Sequence, residues 1–361
     1  MSLYKFLVKP IIFQFDAEKA HHFVISSLDN ISKNPAIEKE IERLYSFSHP
    51  TLKQELFGLS FASPVGLPAG ADKDAKVLNV WQKFSFGFLE VGSVTRNSQP
   101  GNPKPRLWRL IPHRSICVNM GLNSEGAEIV KERLAKKENT YPIGTSIAKT
   151  TAVPQEDTVK DYLATFKIIA PVSDFITLNV SCPNVQGFTC MQRSEFLKGL
   201  LEEVEKTNQE YKKPIFIKIG PDNTDEELKE ICDLAIKHNI SAIICTNLTK
   251  KRDENTEHIP YPGGLSGKLV DKLSDKTIHQ AYQFLKNSPV KIIGVGGIFN
   301  ADDAYRKIKL GASLVQLYTG FIFEGPGIIK KINQGLVDRI QKDGFSNISE
   351  AVGSSKLKAQ S

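Results

Sequence analysis

Cysteine is scarce in this chain, and its spacing excludes several classes of protein. The sequence has five cysteines and no CxxC pair, and an odd number cannot be used up in intrachain disulfides. Cys232 and Cys245 fall inside apolar segments and are predicted to be small core residues, as expected in a reduced, cytosolic setting. No metal site is predicted, because the adjacent His21 and His22 lack the i, i+4 spacing of a helical zinc pair.

Long hydrophobic runs and dense basic blocks are missing as well. No segment reaches the roughly 20 apolar residues that a membrane-spanning helix needs, and no small-residue cleavage site follows the amino terminus. The formal net charge of +7 comes from 47 basic and 40 acidic residues that are interspersed, unlike those of a nucleic-acid-binding surface. We therefore expect no nucleic-acid partner, while a mild attraction to anionic membrane surfaces stays open.

What the chain does contain is a repeated unit of a short β-branched run, a polar or glycine-rich turn and an amphipathic helix. Strands are predicted at residues 63–67, 88–94, 143–148, 175–180, 215–219, 242–245, 291–295 and 313–318. Helices are predicted at 123–137, 156–169, 194–210, 224–237, 301–309 and 326–342. Eight strands alternating with helices predict an α/β protein, a (β/α)8 TIM barrel. The rival doubly wound sheet would usually have fewer strands and a GxGxxG turn after the first, and neither is found.

The turns that follow these strands carry the chemistry. The sequence NVSCPN (residues 179–184) places two carboxamides, a hydroxyl and a thiol at the carboxyl end of the fourth strand, where such folds bind ligands. Lys218 interrupts the otherwise apolar fifth strand, so its charge needs an anionic or electron-rich partner. Glycine turns after strands seven and eight (residues 296–297 and 320) are suited to binding phosphate through backbone N–H groups. Together these features predict a flat, phosphorylated cofactor, flavin mononucleotide (FMN), whose reduced form Lys218 would stabilise.

The first fifteen residues are apolar without being long enough to span a bilayer. Leu3, Phe6, Leu7, Ile11 and Phe15 fall near helical spacing, and a proline at position 10 can split the segment into two short pieces. One interpretation is a helix packed on the bottom of the barrel. The other is an apolar platform that lies on a membrane surface.

At this point the residues resemble a known family, the dihydroorotate dehydrogenases, and specifically the quinone-linked, membrane-associated class 2. The resemblance covers nearly the whole chain, and the order and spacing of its motifs are specific. These motifs are FDAEKAH (15–21), AGADKD (69–74), VGSVT (91–95), PGNPKPRLWRL (100–110), NVSCPN (179–184), GGLSG (263–267), IIGVGGI (292–298) and SLVQLYTGFIFEGP (313–326).

The resemblance implies three groups of site residues. For one FMN per chain it implies Ala69, Gly70, Ala71, Asp72, Lys73, Ser93, Ser146, Asn179, Lys218, Thr246, Gly267, Gly297, Tyr318 and Thr319. For dihydroorotate and orotate it implies Lys73, Asn119, Met120, Gly121, Leu122, Asn179, Asn184, Asn247 and Leu248. For the quinone it implies His21, Arg106 and Tyr318.

The resemblance also implies a mechanism and a domain arrangement. A hydride passes from C6 of dihydroorotate to the flavin, Cys182 removes the proton from C5, and a quinone then takes the electrons. Residues 1–45 would form a helical, membrane-associating extension that covers a quinone tunnel, 46–345 the FMN-binding barrel, and 346–361 a disordered tail. In a bacterium the enzyme would lie on the cytoplasmic face of the cell membrane as a peripheral protein of pyrimidine biosynthesis, with no obligate protein partner.

Four positions depart from the class 2 pattern. Cys182 stands where class 2 usually has serine, Val118 and Ser146 where the family has asparagine, and Leu248 where it has a hydroxyl residue. Because most of these lie on the substrate side, one alternative is an FMN oxidoreductase of the same family with another dihydropyrimidine substrate or a soluble acceptor such as fumarate. A more distant alternative is a barrel that binds a phosphorylated ligand without redox chemistry. A flavin enzyme acting on RNA would call for an additional basic domain.

Overall fold

Eight parallel strands close into a barrel in the computed structural model, which describes residues 3–138, 141–181, 194–254 and 256–355. The strands are β3 (Val65–Leu67), β4 (Phe88–Val94), β7 (Ile143–Ile147), β8 (Ile176–Asn179), β9 (Ile215–Ile219), β10 (Ala242–Cys245), β12 (Lys291–Val295) and β13 (Leu314–Gln316). They neighbour one another in chain order, and β13 pairs with β3 to close the barrel. All eight predicted strands are confirmed, because each is a short apolar run buried on both faces.

The helices that follow the strands form the outer layer. They are α4 (Leu78–Lys83), α5 (Ala127–Leu134), α6 (Thr158–Ile169), α7 (Ser194–Tyr211), α8 (Asp225–Lys237), α9 (Asp271–Leu285), α10 (Ala301–Lys309), α11 (Thr319–Glu324) and α12 (Ile328–Lys342). The predicted capping box at the start of α8 is present, with Thr224 accepting from the Glu227 N–H and Glu227 accepting from the Thr224 N–H. Cys232 and Cys245 are fully buried, as predicted.

Phenylalanine rings fill the lower end of the barrel. A hairpin of β1 (Gln54–Leu56) and β2 (Leu59–Phe61) precedes β3, and Phe61 packs in a buried cluster with Phe88, Phe175 and Phe216. The rings of Phe175 and Phe216 stack with centroids 4.6 Å apart. This plug leaves the carboxyl ends of the strands as the end where a ligand can enter.

A small antiparallel sheet lies beside that open end. It consists of β5 (Leu107–Leu110), β6 (Ser115–Val118) and β11 (Gly264–Gly267), with β6 in the centre. The sequence analysis did not predict these strands. β5 and β6 form a local hairpin of four-residue strands, too short to show a clear periodicity, and β11 pairs with β6 across about 150 residues, which no local pattern can reveal.

The amino-terminal residues form a helical extension on the same, open end. A π-helical turn (Tyr4–Val8) leads into α1 (Lys9–Ile12), and then come α2 (Ala17–Ser32), capped by Asp16, and α3 (Pro35–Tyr45), capped by Asn34. The Tyr4 hydroxyl donates to the carbonyl of Ile322 in α11, at 2.6 Å. The alternative of a helix packed on the bottom of the barrel is therefore wrong. Within the described ranges, no helix is both long and apolar enough to cross a membrane.

The carboxyl-terminal segment corrects one expectation. Residues 346–355, predicted to belong to a disordered tail, are ordered and include a 3₁₀ turn (Ile348–Ala351). Ile348 and Ala351 are fully buried, and the Ser355 N–H donates to the Lys309 carbonyl. The segment is mostly polar, which is why disorder was predicted, but these two apolar side chains are enough to pack it against the barrel. Residues 356–361 lie outside the described part of the chain.

The ring plug makes a prediction about stability. A Cβ at Gly144 would lie 2.0 Å from the ring of Phe175, so Gly144→Ala must displace a tightly packed aromatic side chain. We expect its free energy of unfolding to fall by about 1–3 kcal/mol, the usual cost of overpacking a core. The matched control is Gly199→Ala in α7, where nothing lies within 4 Å of the added carbon and helix propensity should make the change neutral or stabilising. Urea unfolding midpoints measure both; equal midpoints would mean that the Phe175 ring moves freely.

Candidate active site

One cavity joins the open end of the barrel to the amino-terminal helices. Its volume is about 560 Å³, within the range of small-molecule and cofactor sites. Its walls at one end carry polar side chains from the ends of the barrel strands, such as Ser93, Asn179 and Lys218. At the other end they are mostly apolar and come from the first helices and from α11.

A buried charge pair lies at the polar end. Lys218 in β9 is 6% exposed, and its Nζ lies 3.6 Å from Oε2 of Glu90 in β4, which is fully buried. The sequence analysis required an electron-rich partner for Lys218 but did not identify Glu90. The same reasoning would have found it, since Glu90 also interrupts an apolar strand.

The Glu90 carboxylate is held from two further strands. Its Oε2 accepts from the backbone N–H of Ala69 at 3.2 Å and from Nε2 of Gln316 at 3.0 Å. Oε1 of Glu90 and Oε1 of Gln316 have no hydrogen-bond partner among the described residues. Because Gln316 lines the cavity, its side chain brings an unused acceptor to the site.

A network of amides and hydroxyls crosses the mouth of the barrel. Nδ2 of Asn179 donates to Oγ of Ser93 at 2.8 Å, and the Ser93 and Ser146 hydroxyls are also 2.8 Å apart. Nδ2 of Asn247 lies 3.3 Å from Oδ1 of Asn179 and 3.2 Å from the hydroxyl of Ser181. The predicted residues Ser93, Asn179 and Asn247 line the cavity, while Ser146 lies behind Ser93. These bonds fix both carboxamides in place before any ligand arrives.

Glycine-rich turns line the cavity where the last two barrel strands end. Gly297 has φ of +72°, and a Cβ there would lie 2.4 Å from the side chain of Asp271. Thr319, whose hydroxyl is 2.6 Å from that of Ser266, begins α11. The first N–H groups of a helix have no intrahelical partner, so those of Thr319 and Gly320 are available to an anionic ligand in the cavity that both residues line.

The turn after the first barrel strand contains both lining and shaping residues. Ala69, Gly70 and Lys73 line the cavity, and the Lys73 ammonium donates to Oδ1 of Asn123, another lining residue that the sequence analysis missed. Asp72 is buried and closes the turn by accepting from the N–H groups at 76 and 77, at 2.8 and 2.9 Å. Burial raises the pKa of the Asp72 carboxyl. Neither Asp72 nor the buried Ala71 lines the cavity.

Some of the remaining predicted residues line the cavity, and others only support its walls. Met120, Gly121 and Leu122 line the cavity, as does Leu248, which departs from the family pattern. Asn119 does not line it; its side chain accepts from Nδ2 of Asn102 at 3.1 Å and braces the turn. Thr246 and Gly267, predicted for the cofactor, both line the cavity. Cys182 and Asn184 lie outside the described residues.

His21 and Tyr318 meet where the polar and apolar ends of the cavity join. Nδ1 of His21 in α2 is 2.8 Å from the Tyr318 hydroxyl, and both residues line the cavity. Burial, followed by the charge of Lys73, lowers the pKa of His21 to about 4, so the imidazole is neutral at pH 7. Burial also raises the pKa of Tyr318, so the phenol keeps its proton. The pair is therefore an uncharged hydrogen-bonding group in a largely apolar surrounding.

Arg106, predicted for the quinone, does not line the cavity, whereas Arg109 does. The Arg106 guanidinium donates to both oxygens of Glu18 in α2 and to the carbonyls of Pro100 and Asn102. Burial alone would raise the pKa of Glu18. The hydrogen bonds that Arg106 donates, together with its positive charge, lower this pKa to about 2. This buried pair holds α2 on the barrel one helical turn before His21. Arg109 instead donates to the Phe15 carbonyl at 2.7 Å and lies over the ring of Phe13.

Comparison with known proteins agrees with this arrangement. The family model described as dihydroorotate dehydrogenase matches residues 51–340. The chain belongs to the dihydroorotate dehydrogenase family. The proteins of this family are flavin-dependent oxidoreductases. Among curated relatives, the dihydroorotate dehydrogenase (quinone) of Christiangramia forsetii is 42% identical, over 93% of this chain and 99% of that protein. The one from Trichodesmium erythraeum is 39% identical over 98% and 99%.

Solved structures of the family have the same fold along nearly the whole chain. The dihydroorotate dehydrogenase of Eimeria tenella, solved with ferulenol, superposes with a TM-score of 0.86 at 30% identity and covers 94% of this chain and 95% of its own. The ligand-free form of that enzyme also gives a TM-score of 0.86 and covers 95% and 100%. The structural likeness thus extends beyond residues 51–340, which the family model matches.

The lowered pKa of His21 predicts a pH dependence of stability. The unfolded chain binds a proton near the ordinary histidine pKa of about 6.5, before the folded protein does, so acidification favours unfolding. The contribution of His21 is therefore fully present above pH 6.5 and is lost as the pH falls toward 4. We expect His21→Gln to lose less stability than the parent over this interval, measured as urea unfolding midpoints at several pH values. His279→Gln in α9, a helix of the outer layer, should follow the parent; identical slopes for all three proteins would contradict the assignment.

Proposed function

We propose that this protein oxidises (S)-dihydroorotate to orotate, with one FMN per chain as cofactor and a quinone as electron acceptor. The observation that carries the proposal is that one continuous cavity has two unlike ends. A polar end with fixed carboxamides suits a planar, anionic pyrimidine, and an apolar end suits a quinone. The full-length match to relatives named as quinone-dependent dihydroorotate dehydrogenases supports it.

The residues at the polar end fit FMN. The backbone turns at Gly267 and Gly297 line the cavity, so their N–H groups can serve a phosphate there, and Lys218 brings a positive charge to the same cavity. When bound, FMN supplies an electron carrier that takes a hydride from the substrate and passes the electrons on. Ser93, Thr246 and Thr319 offer further hydrogen-bonding groups in the same cavity.

The protein itself contributes binding, orientation and proton removal. Asn179 and Asn247 hold the pyrimidine through amide hydrogen bonds, and Lys73 attracts its carboxylate. Cys182, which follows Ser181 directly at the end of β8, removes the proton from C5 as a thiolate. A free thiol has a pKa of about 8.5, so this base needs less activation than a serine hydroxyl would.

At the other end, the helical extension binds the quinone and contacts the membrane. His21 and Tyr318 hydrogen-bond the quinone, and Arg109 takes the place that the sequence analysis gave to Arg106. Outward from the cavity, the first turns expose Phe6 and Ile11 to 71% and 60%. Large exposed apolar side chains on a short helical segment are typical of a protein that lies on a bilayer. We place the protein at the cytoplasmic face of the membrane if it is bacterial.

Reduction of the bound flavin by dihydroorotate under anaerobic conditions tests the function directly, since it depends on cofactor and substrate but not on the acceptor. We expect the parent to bleach its flavin absorbance and Cys182→Ala to do so about a hundredfold or more slowly, the usual scale for a lost general base. The flavin content of the variant should stay near that of the parent. Cys190→Ala is the matched control in the same segment and should react like the parent. If dihydroorotate does not reduce the flavin of the parent, dihydroorotate is excluded as the substrate. If the flavin of Cys182→Ala is reduced as fast as that of the parent, Cys182 is excluded as the base.

The membrane proposal has its own test. Phe6 and Ile11 are exposed and do not line the cavity, so Phe6→Ser combined with Ile11→Ser should leave folding and flavin reduction unchanged. We expect the double variant to sediment less with anionic phospholipid vesicles and to reduce a long-chain quinone in those vesicles more slowly. Its rate with a short, water-soluble quinone should be normal. Ile236→Ser in α8, 40% exposed on the outside of the barrel, is the control. Undiminished vesicle binding by the double variant would contradict the assignment of this surface.

A further inference from the structure

Glu90 is a fully buried carboxylate below the cavity that the reaction itself does not use. It lies on β4, does not line the cavity, and has Lys218 as its one cationic partner among the ion pairs of the described residues. In the same set of ion pairs, Glu90 is the one carboxylate that pairs with Lys218. We propose that Glu90 is a positioning residue that acts through Lys218, keeping its ammonium directed at the cofactor. This inference rests on the proposed function, because FMN is the ligand that the lysine serves.

The pair crosses the interior of the barrel. In the closed sheet β4 and β9 are separated by β7 and β8, so Glu90 and Lys218 meet through the centre of the barrel and not along a ladder. Two residues before each of them, Phe88 and Phe216 belong to the ring plug. Since side chains alternate along a strand, each strand places its phenylalanine and its charged residue on the same inner face. The rings exclude water from below and leave the cavity as the open side of Lys218.

The surroundings of Glu90 fix its carboxylate more tightly than a salt bridge alone would. The Ala69 N–H and the Gln316 amide both donate to Oε2, the oxygen that faces Lys218. Ala69 begins the turn that carries Lys73, and Gln316 comes from the last barrel strand. One carboxylate thus joins the ends of β3 and β13 to the lysine on β9. At 3.6 Å, Lys218 is attracted to Glu90 without a close hydrogen bond, so its protons remain available to a ligand.

Removing either partner has different consequences from removing both. A lone buried charge is strongly unfavourable, whereas replacing a buried pair by neutral groups is often tolerated. With glutamine at position 90, Lys218 has no anionic partner, so its ammonium is no longer held in place and offers FMN a weaker contact. With methionine at position 218, Glu90 is left uncompensated instead. If Glu90 acts only through Lys218, its removal should add nothing once the lysine has gone.

The test is a double-mutant cycle on flavin-free protein. Parent, Glu90→Gln, Lys218→Met and the double variant are stripped of flavin, and FMN binding is measured by fluorescence quenching. We expect each single change to weaken FMN binding at least tenfold and the double variant to bind within twofold of Lys218→Met. Tight, parent-like binding by Glu90→Gln, or losses that multiply in the double variant, would overturn the proposal. If Glu90→Gln does not fold, Glu90→Asp takes its place in the same cycle, with an intermediate loss expected because the carboxylate is kept but drawn back.

Thermal unfolding of the same flavin-free proteins provides a readout that does not depend on FMN. We expect Lys218→Met to have a lower midpoint than the double variant, because neutralising Glu90 removes the uncompensated charge; the opposite order would overturn the pairing. The control is Asp275→Asn, whose carboxylate lies 2.6 Å from the fully buried Lys307 on the outer helices. It should lower the midpoint and leave FMN affinity unchanged, which separates lost positioning from general destabilisation. Failure of the parent to bind FMN would refute the proposed function, while the thermal cycle would still decide whether Glu90 and Lys218 are coupled.

Discussion

The active site of this protein depends on one constraint, which is that a charged side chain on an inner strand cannot be buried without a partner. Lys218 meets that constraint through Glu90 on the far side of the barrel, and Glu90 in turn is held by Ala69 and Gln316. The pair sits on a plug of phenylalanine rings that closes the lower end. Polarity is therefore confined to the carboxyl ends of the strands, and this is where the cavity opens.

The cavity combines two environments because two parts of the chain build it. Barrel strand ends contribute the carboxamides, the hydroxyls and the lysines, and hydrogen bonds hold the carboxamides of Asn179 and Asn247 in place. The amino-terminal helices contribute apolar side chains and reach the barrel through Tyr4 and through the buried Glu18–Arg106 pair. His21 and Tyr318 are the contact between the two parts. A polar substrate and an apolar electron acceptor can thus be served from one cavity.

Regular elements were predictable because their signals are local. Each barrel strand is a short apolar run, the six predicted outer helices have an amphipathic period, and the capping box of α8 is a four-residue pattern, whereas α4, α9 and α11 were not predicted. In the sheet of β5, β6 and β11, the local hairpin of β5 and β6 was missed because its strands are only four residues long, and β11 was missed because it pairs across about 150 residues. The ordered structure of residues 346–355 was missed for a similar reason. Two apolar residues in a polar segment stabilise it only when a distant part of the chain provides a surface on which they pack.

The sequence by itself determined the fold class, the turns that carry the chemistry and many of the polar residues that line the cavity, but not its apolar lining. It did so because the carboxyl ends of parallel strands converge whatever the rest of the chain does. Only the tertiary structure decided which of two arginines three residues apart reaches the cavity, since neighbours at an odd spacing in an extended chain point in opposite directions. It also decided that Asp72, Asn119 and Ser146 brace the site and that Glu90 is the partner of Lys218. Which charges meet across a barrel depends on how the sheet closes, and closure brings together residues that are distant in the sequence.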